Sequence, residues 1–344
     1  GMVPAEGWTG DAEWAGEVPF EEMPHALNPA DGYLVNCNQR IVDESYPYFL
    51  GNAWINGYRA RRARDVIAGN VPFSQADCRA LQMDLVTPAS GELVRRLRDL
   101  DPVEPDLRDA LARLRAWDGN LTADSVAGAI YEVLRMTLAR NVLEPGLGQA
   151  LALRWMGQGF HPVLRATSEL HGHEYLAVLR LLDAPDSWWV QQAGGREAWI
   201  RRSLQQTVDW LREAMGSDPS RWTWGRIHRT SLPHALGARP PLDAVFDRGP
   251  FAVGGDSDTP NQSALRPERP YDNRGIAATF REIIDLGDLS RSQVIVPPGQ
   301  SGRLGSRHYD DLISPWLIGE YVPMLWTREQ VEAHLEARLE LVAP

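Results

Sequence analysis

The stretch Asn28-Pro29-Ala30-Asp31-Gly32-Tyr33-Leu34-Val35-Asn36-Cys37-Asn38-Gln39-Arg40 decides how the rest of the chain is read. Asn-Pro and Asp-Gly are turn-forming pairs, and the aromatic and aliphatic run that follows predicts a short buried strand from Tyr33 to Cys37. The end of that strand delivers three amides, Asn36, Asn38 and Gln39, into a loop. Amide hydrolysis passes through a tetrahedral oxyanion, and a fixed side-chain N–H aimed at that oxygen contributes about 3 kcal/mol to the rate. An Asn on a rigid strand end can supply such a donor. The plainer reading of the same residue is a turn closer.

The flanks give the stretch its context. Ahead of it stand Gly7-Trp8-Thr9-Gly10, Glu13-Trp14 and Pro19-Phe20-Glu21; behind it come Ser45-Tyr46-Pro47-Tyr48-Phe49-Leu50-Gly51 and Gly57-Tyr58-Arg59-Ala60-Arg61-Arg62. In this order the blocks resemble the β chain of the penicillin acylase (penicillin amidase) family of N-terminal nucleophile hydrolases. The resemblance continues through Gly254-Gly255-Asp256-Ser257-Asp258-Thr259, matched on to Asn261, through Gly299-Gln300-Ser301-Gly302 and Ser306-Arg307-His308-Tyr309-Asp310-Asp311, and on to Trp316-Leu317-Ile318-Gly319-Glu320-Tyr321.

The resemblance implies an α+β chain, part of an αββα sandwich with a largely helical insert and a C-terminal antiparallel strand region. It makes Asn38 the oxyanion donor and Arg59 the residue that brace the site, although Arg61, Arg62 and Arg64 leave the arginine register open. The family's nucleophile is a Ser at a new N-terminus whose own α-amine serves as base. This sequence opens Gly1-Met2-Val3 and contains no Ser-Asn-x-x-Trp block of the kind that marks the family's cut.

The expectation is therefore the C-terminal portion of a penicillin-acylase-like amidase, acting on a linear acyl amide of penicillin, cephalosporin or acyl-homoserine lactone type. Its partners would be the remaining part of the β chain and an α chain, and by itself it would hydrolyse nothing. The alternative is a degenerate, non-catalytic homologue that binds acyl amides or a partner chain. A third reading makes Ser301, His308 and Asp311 an independent triad; nothing in the sequence places those side chains together.

Composition narrows the partners. With 344 residues, 43% of them hydrophobic, the chain can bury a sizeable core, and a net charge of -11 argues against nucleic acid or an anionic membrane surface. No apolar run is long enough to span a bilayer. Cys37 and Cys78 read as two free thiols, which leaves the compartment open.

Three regions are expected, 1–57, 58–216 and 217–344, in one unit. The second should be helical: Tyr58 to Ile67 with a basic face, a helix opened by Ser74 and Asp77, then Gly91–Leu100, Asp106–Trp117, Thr122–Leu143 capped by Thr122, Leu147–Gly157, Val163–His171 and Arg196–Met215. The pair His171 and His173 supplies too few ligands for zinc. In the third region Trp222–Arg229, Leu242–Phe246, Pro250–Val253, Ile276–Asp285 and Gln293–Val296 read as strands, and 328–340 as an amphipathic helix or terminal strand. Asp256 and Asp258 alone are weak evidence for calcium. No cofactor is expected, and no metal ligand is assigned.

Overall fold

The computed structural model describes residues 4–51, 54–161, 165–167, 174–265, 271 and 277–342. Residues 4–51 run as a largely exposed arm: Trp8, Trp14, Phe20 and Leu27 are each at least 82% exposed. The expected buried strand from Tyr33 to Cys37 is not formed. Backbone N–H and C=O groups need a neighbouring ladder to become a strand, and among the described residues the stretch gains only a single parallel bridge, between Gln39 and Ile55. Leu34 consequently stands in solvent.

From Tyr58 the chain turns helical, as its spacing predicts. The first helices are α1 (Tyr58–Gly69), α2 (Gln75–Gln82), α3 (Pro88–Arg96), α4 (Pro105–Ala116), α5 (Val126–Leu147) and α6 (Gln149–Trp155). Ser74 and Asp77 open α2 with a reciprocal capping box. Pro88 and Pro105 occupy the first positions of α3 and α4, where a missing N–H costs nothing. The start of α5 differs from expectation. The Thr122 hydroxyl donates to Asp124 at 2.5 Å, and Ser125 takes the cap by accepting from the Gly128 N–H at 2.9 Å.

β1 (Gln158–His161) pairs antiparallel with β2 (Arg165–Thr167), so residues 165–167 are extended where a helix over Val163–His171 was expected; the rest of that stretch lies outside the described residues. Gly157, at φ +104°, turns the chain out of α6 and ends helical continuity there. His171 and His173 lie outside the described residues. Helices α7 (Glu174–Leu182), α8 (Trp188–Gln192) and α9 (Arg196–Met215) complete the helical layer.

α5 lies at its centre, buried on nearly every side and packed by α4, α6, α7, α8 and α9, as a helix apolar all round must be. The Trp199 indole donates to the Leu138 carbonyl at 3.0 Å across the α5–α9 contact. Gly146 lets α8 approach, since a Cβ there would sit 2.8 Å from the Trp188 and Trp189 rings.

Beyond Gly216 the elements are short. Trp222–Arg229 is not a strand: α10 (Trp224–Ile227) forms instead, and Trp224 stacks on His228, its i+4 neighbour, with centroids 4.3 Å apart. β3 (Arg229–Leu232) pairs antiparallel with β4 (Arg248–Ala252), and between them Leu242–Phe246 is helical, as α11 (Asp243–Phe246), with Asp243 in its first turn. β5 (Arg281–Ile283), β6 (Gln293–Ile295) and β7 (Val322–Pro323) form an antiparallel sheet in that order, joined through α12 (Ile313–Ile318), and α13 (Arg328–Ala333) follows. The chain is thus α+β, and Cys37 and Cys78 are free thiols.

A buried ionic cluster joins the regions. Arg135 of α5 reaches Asp256 at 3.1 Å and Asp258 at 3.3 Å, with all three side chains at most 2% exposed, and its guanidinium lies 4.6 Å from the Tyr175 ring. Glu132 lies 3.5 Å from the same guanidinium. Burial nevertheless holds the Glu132 carboxyl well above the usual range, outweighing the cation beside it. Asp258 also accepts from Asn56 Nδ2 at 2.6 Å.

A second buried polar group is His228. A carbonyl oxygen only accepts, so Nδ1, 2.9 Å from the Tyr271 carbonyl, carries the proton, and Nε2 accepts from the Ser263 hydroxyl at 2.7 Å. Burial pushes its pKa down to about 3.

Two outcomes follow from these buried groups. Replacing Arg135 by Met strands the Asp256 and Asp258 carboxylates and should lower unfolding free energy in urea by about 3–5 kcal/mol, part of which returns when both aspartates are also made Asn. The depressed pKa of His228 means that its contribution is complete above pH ~6.5 and declines as pH falls toward 3. Between pH 6.5 and 5 this amounts to about 2 kcal/mol, a slope that urea titrations of a His228→Asn variant should lack.

Candidate active site

Local hydrogen bonds, not a sheet, shape the loop after residue 35. The Gln39 side chain accepts from the Cys37 N–H at 2.6 Å and donates to the Val35 carbonyl at 3.0 Å, while Asn36 Oδ1 accepts from the Asn38 N–H at 2.9 Å. Asn38 itself takes φ +65°, a left-handed conformation that Asn tolerates better than most residues. Its carbonyl accepts from the Ile55 N–H at 3.0 Å, which fastens the loop to the approach to α1.

Arg59, on the first turn of α1, donates from Nη2 to the Cys37 carbonyl and to Asn38 Oδ1, each at 3.0 Å. Guanidinium groups have no acceptor, so the Asn38 atom facing Arg59 is the amide oxygen. The Nδ2 group therefore points away, and it makes no hydrogen bond among the described residues. Asn38 is exposed, so this N–H pair is open to a ligand.

The arginine register is fixed by separate partners. Arg61 reaches Glu92 at 3.1 Å and Arg62 reaches Asp84 at 2.6 Å, which leaves Arg59 alone of the three on Asn38. The start of α1 is tied to the core: Asn56 Oδ1 accepts from the Tyr58 N–H at 3.2 Å, while its amide nitrogen binds Asp258. Burial raises the Cys37 thiol pKa, against the pull of Arg59 and Arg64, so this cysteine stays a thiol beside the loop.

Asn56, Glu132 and Arg135 were not singled out by sequence reasoning. The available signal was a pair of ionisable residues three apart inside the otherwise apolar run of α5.

Ser301, His308 and Asp311 do not assemble into a triad. His308 Nδ1 lies 2.6 Å from Asp311 Oδ2, but Nε2 lies 3.1 Å from Glu336 Oε1, and Arg307 closes on the same Glu336. The Ser301 hydroxyl accepts from the Arg303 N–H at 3.2 Å; only its backbone N–H meets residue 308, at the carbonyl. Asp311 first and then Glu336 raise the His308 pKa, and Nε2 faces Glu336 and the Arg307 Nε–H rather than Ser301.

Among the described residues no group of three or more His, Cys, Asp or Glu is arranged to hold a metal ion, and no helix is long and apolar enough to cross a membrane.

The penicillin amidase family model matches residues 1–333. The penicillin acylase 2 proenzyme of Pseudomonas sp. (strain SE83) is 31% identical over 99% of this chain and 42% of its own length. The acyl-homoserine lactone acylase QuiP of Pseudomonas putida is 28% identical over 99% of this chain and 43% of that protein. Among solved structures, a thermostable penicillin G acylase from Alcaligenes faecalis superposes with a TM-score of 0.61 at 20% identity, covering 99% of this chain and 62% of that one. The chain spans less than half the length of the two acylase sequences, and it belongs to the penicillin amidase family.

Proposed function

We propose that this chain is the C-terminal portion of an acylase-like amidase, and that Asn38 Nδ2 is a donor to the oxyanion formed when a linear acyl amide is attacked. The observation that carries this reading is the polarity of the Asn38 amide: Arg59 holds its oxygen, and its N–H2, on an exposed residue, makes no hydrogen bond among the described residues. A donor fixed before the reaction needs no reorganisation as charge develops on the carbonyl oxygen. Arg59 is a positioning residue in this scheme. It bonds the backbone and side chain of the loop at once, which locks both the left-handed backbone and the side-chain rotamer of Asn38.

The nucleophile is proposed to come from polypeptide outside this sequence. Attack on the acyl carbon forms the tetrahedral intermediate, Asn38 shares the negative charge, and collapse expels the amine after it gains a proton. No cofactor enters this chemistry. Two observations support a partner polypeptide: the relatives extend well beyond the matched region, one of them named as a proenzyme, and the arm leaves large apolar side chains in solvent. Penicillin and acyl-homoserine lactone side chains are the proposed acyl classes, after the names of the relatives.

In the enzyme assembled with its partner polypeptide, Asn38→Ala should lower kcat about 10²- to 10³-fold with little change in KM, measured by release of the amine from an acyl amide. Arg59→Met should cost about ten- to a hundredfold in kcat by releasing the amide from its orientation. If Asn38→Ala keeps full kcat, the proposal fails. For the isolated chain, limited proteolysis should cut first within residues 4–51, and the partner polypeptide should protect that segment.

A further inference from the structure

A cavity of about 370 Å³ lies between the end of α2, the turn after β4, β5 and the end of α12. Its size falls at the small end of the range ligand pockets occupy, roughly 300–1,000 Å³. Met83, Leu85, Val253, Trp316 and Leu317 give it apolar walls, and Asn261, Gln262 and Ser263 add polar atoms. Arg281 is the one charged residue among those that line it.

The state of Arg281 is unusual for this chain. Its side chain is buried, with the residue 5% exposed, yet it touches no carboxylate among the described residues. Nη1 donates to the Trp316 carbonyl at 2.8 Å, Nη2 donates to Asn261 Oδ1 at 3.0 Å, and the guanidinium lies 5.2 Å from the Trp316 ring. Among the described residues the buried Nε has no hydrogen-bond partner. The other arginine of comparable enclosure, Arg135, is neutralised by two aspartates.

Capping α12 through the Trp316 carbonyl uses one of five guanidinium N–H groups. It does not account for a buried positive charge beside empty, largely apolar space, an arrangement that is costly when no anion is present.

We propose that this cavity binds a small carboxylate with an apolar body, the carboxylate pairing with Arg281 and the body lying against Met83, Val253 and Trp316. The site binds and does not react. The Ser263 hydroxyl donates to His228, and burial leaves that ring so weakly basic that it cannot activate the serine at neutral pH. The larger cleft, about 580 Å³ beside Arg79, is a poorer candidate, because Glu320 lines it and Arg291 lies 3.5 Å from Asp285.

This inference does not rest on the amidase reading and is tested on the chain alone, by calorimetric titration with benzoate and hexanoate against benzamide and hexanamide. The expected result is saturable binding of the acids at millimolar concentration and binding of the amides weaker by about tenfold or more. Arg281→Gln removes the charge while leaving an amide in the site, so it should erase the difference between acid and amide. Ala277→Phe fills the cavity without touching the guanidinium and should weaken both. Thermal melts of each variant establish that it is folded. No saturable binding of either acid, equal binding of acid and amide, or acid binding unchanged in both folded variants would each overturn the proposal.

Discussion

The Arg135 guanidinium is the point on which the parts of this chain converge. It comes from the most buried helix and meets two aspartates of the 254–261 loop, and through Asp258 it reaches Asn56, just ahead of α1. Buried ion pairs contribute little net stability, because desolvation offsets most of the attraction. Their effect here is on register. A slip of the loop or of α1 by one residue would leave charges buried without partners, so alternative packings of the helical layer against the C-terminal region are strongly disfavoured.

That constraint passes outward to the surface. Asn56 holds the first turn of α1, α1 carries Arg59, and Arg59 orients the amide of residue 38. The loop itself is exposed and bonded mainly within itself. An exposed side chain ordinarily samples several rotamers, and this one is held by a chain of contacts rooted in the core.

Much of this was legible before any coordinates. The long helices announced themselves through apolar spacing and capping residues: Arg196–Met215 runs as read, and Ser74 with Asp77 caps α2. The pairing of residue 38 with Arg59 was carried by family resemblance; spacing alone left Arg61, Arg62 and Arg64 as competitors. Short elements were misread for physical reasons. Tyr33 to Cys37 has strand composition and no strand beside it among the described residues, and Trp222–Arg229 alternates like a strand while Trp224 and His228 stack at helical spacing. The partners of Arg135 were illegible because Asp256, Asp258 and Asn56 lie far from it in sequence, and an arginine in an apolar helix does not reveal which carboxylates will meet it.

The contact between Arg59 and Asn38 also sets stability against function at a single atom. Replacement of the side-chain nitrogen by oxygen, as in spontaneous deamidation, would leave the shape of the residue and its left-handed backbone nearly unchanged. The resulting carboxylate would pair with the guanidinium more strongly than the amide does. It would also present an acceptor, with negative charge, where the proposed reaction needs a donor. A more firmly held loop would thus be a dead one, and the neutral amide is the side chain that satisfies the arginine without exhausting itself on it.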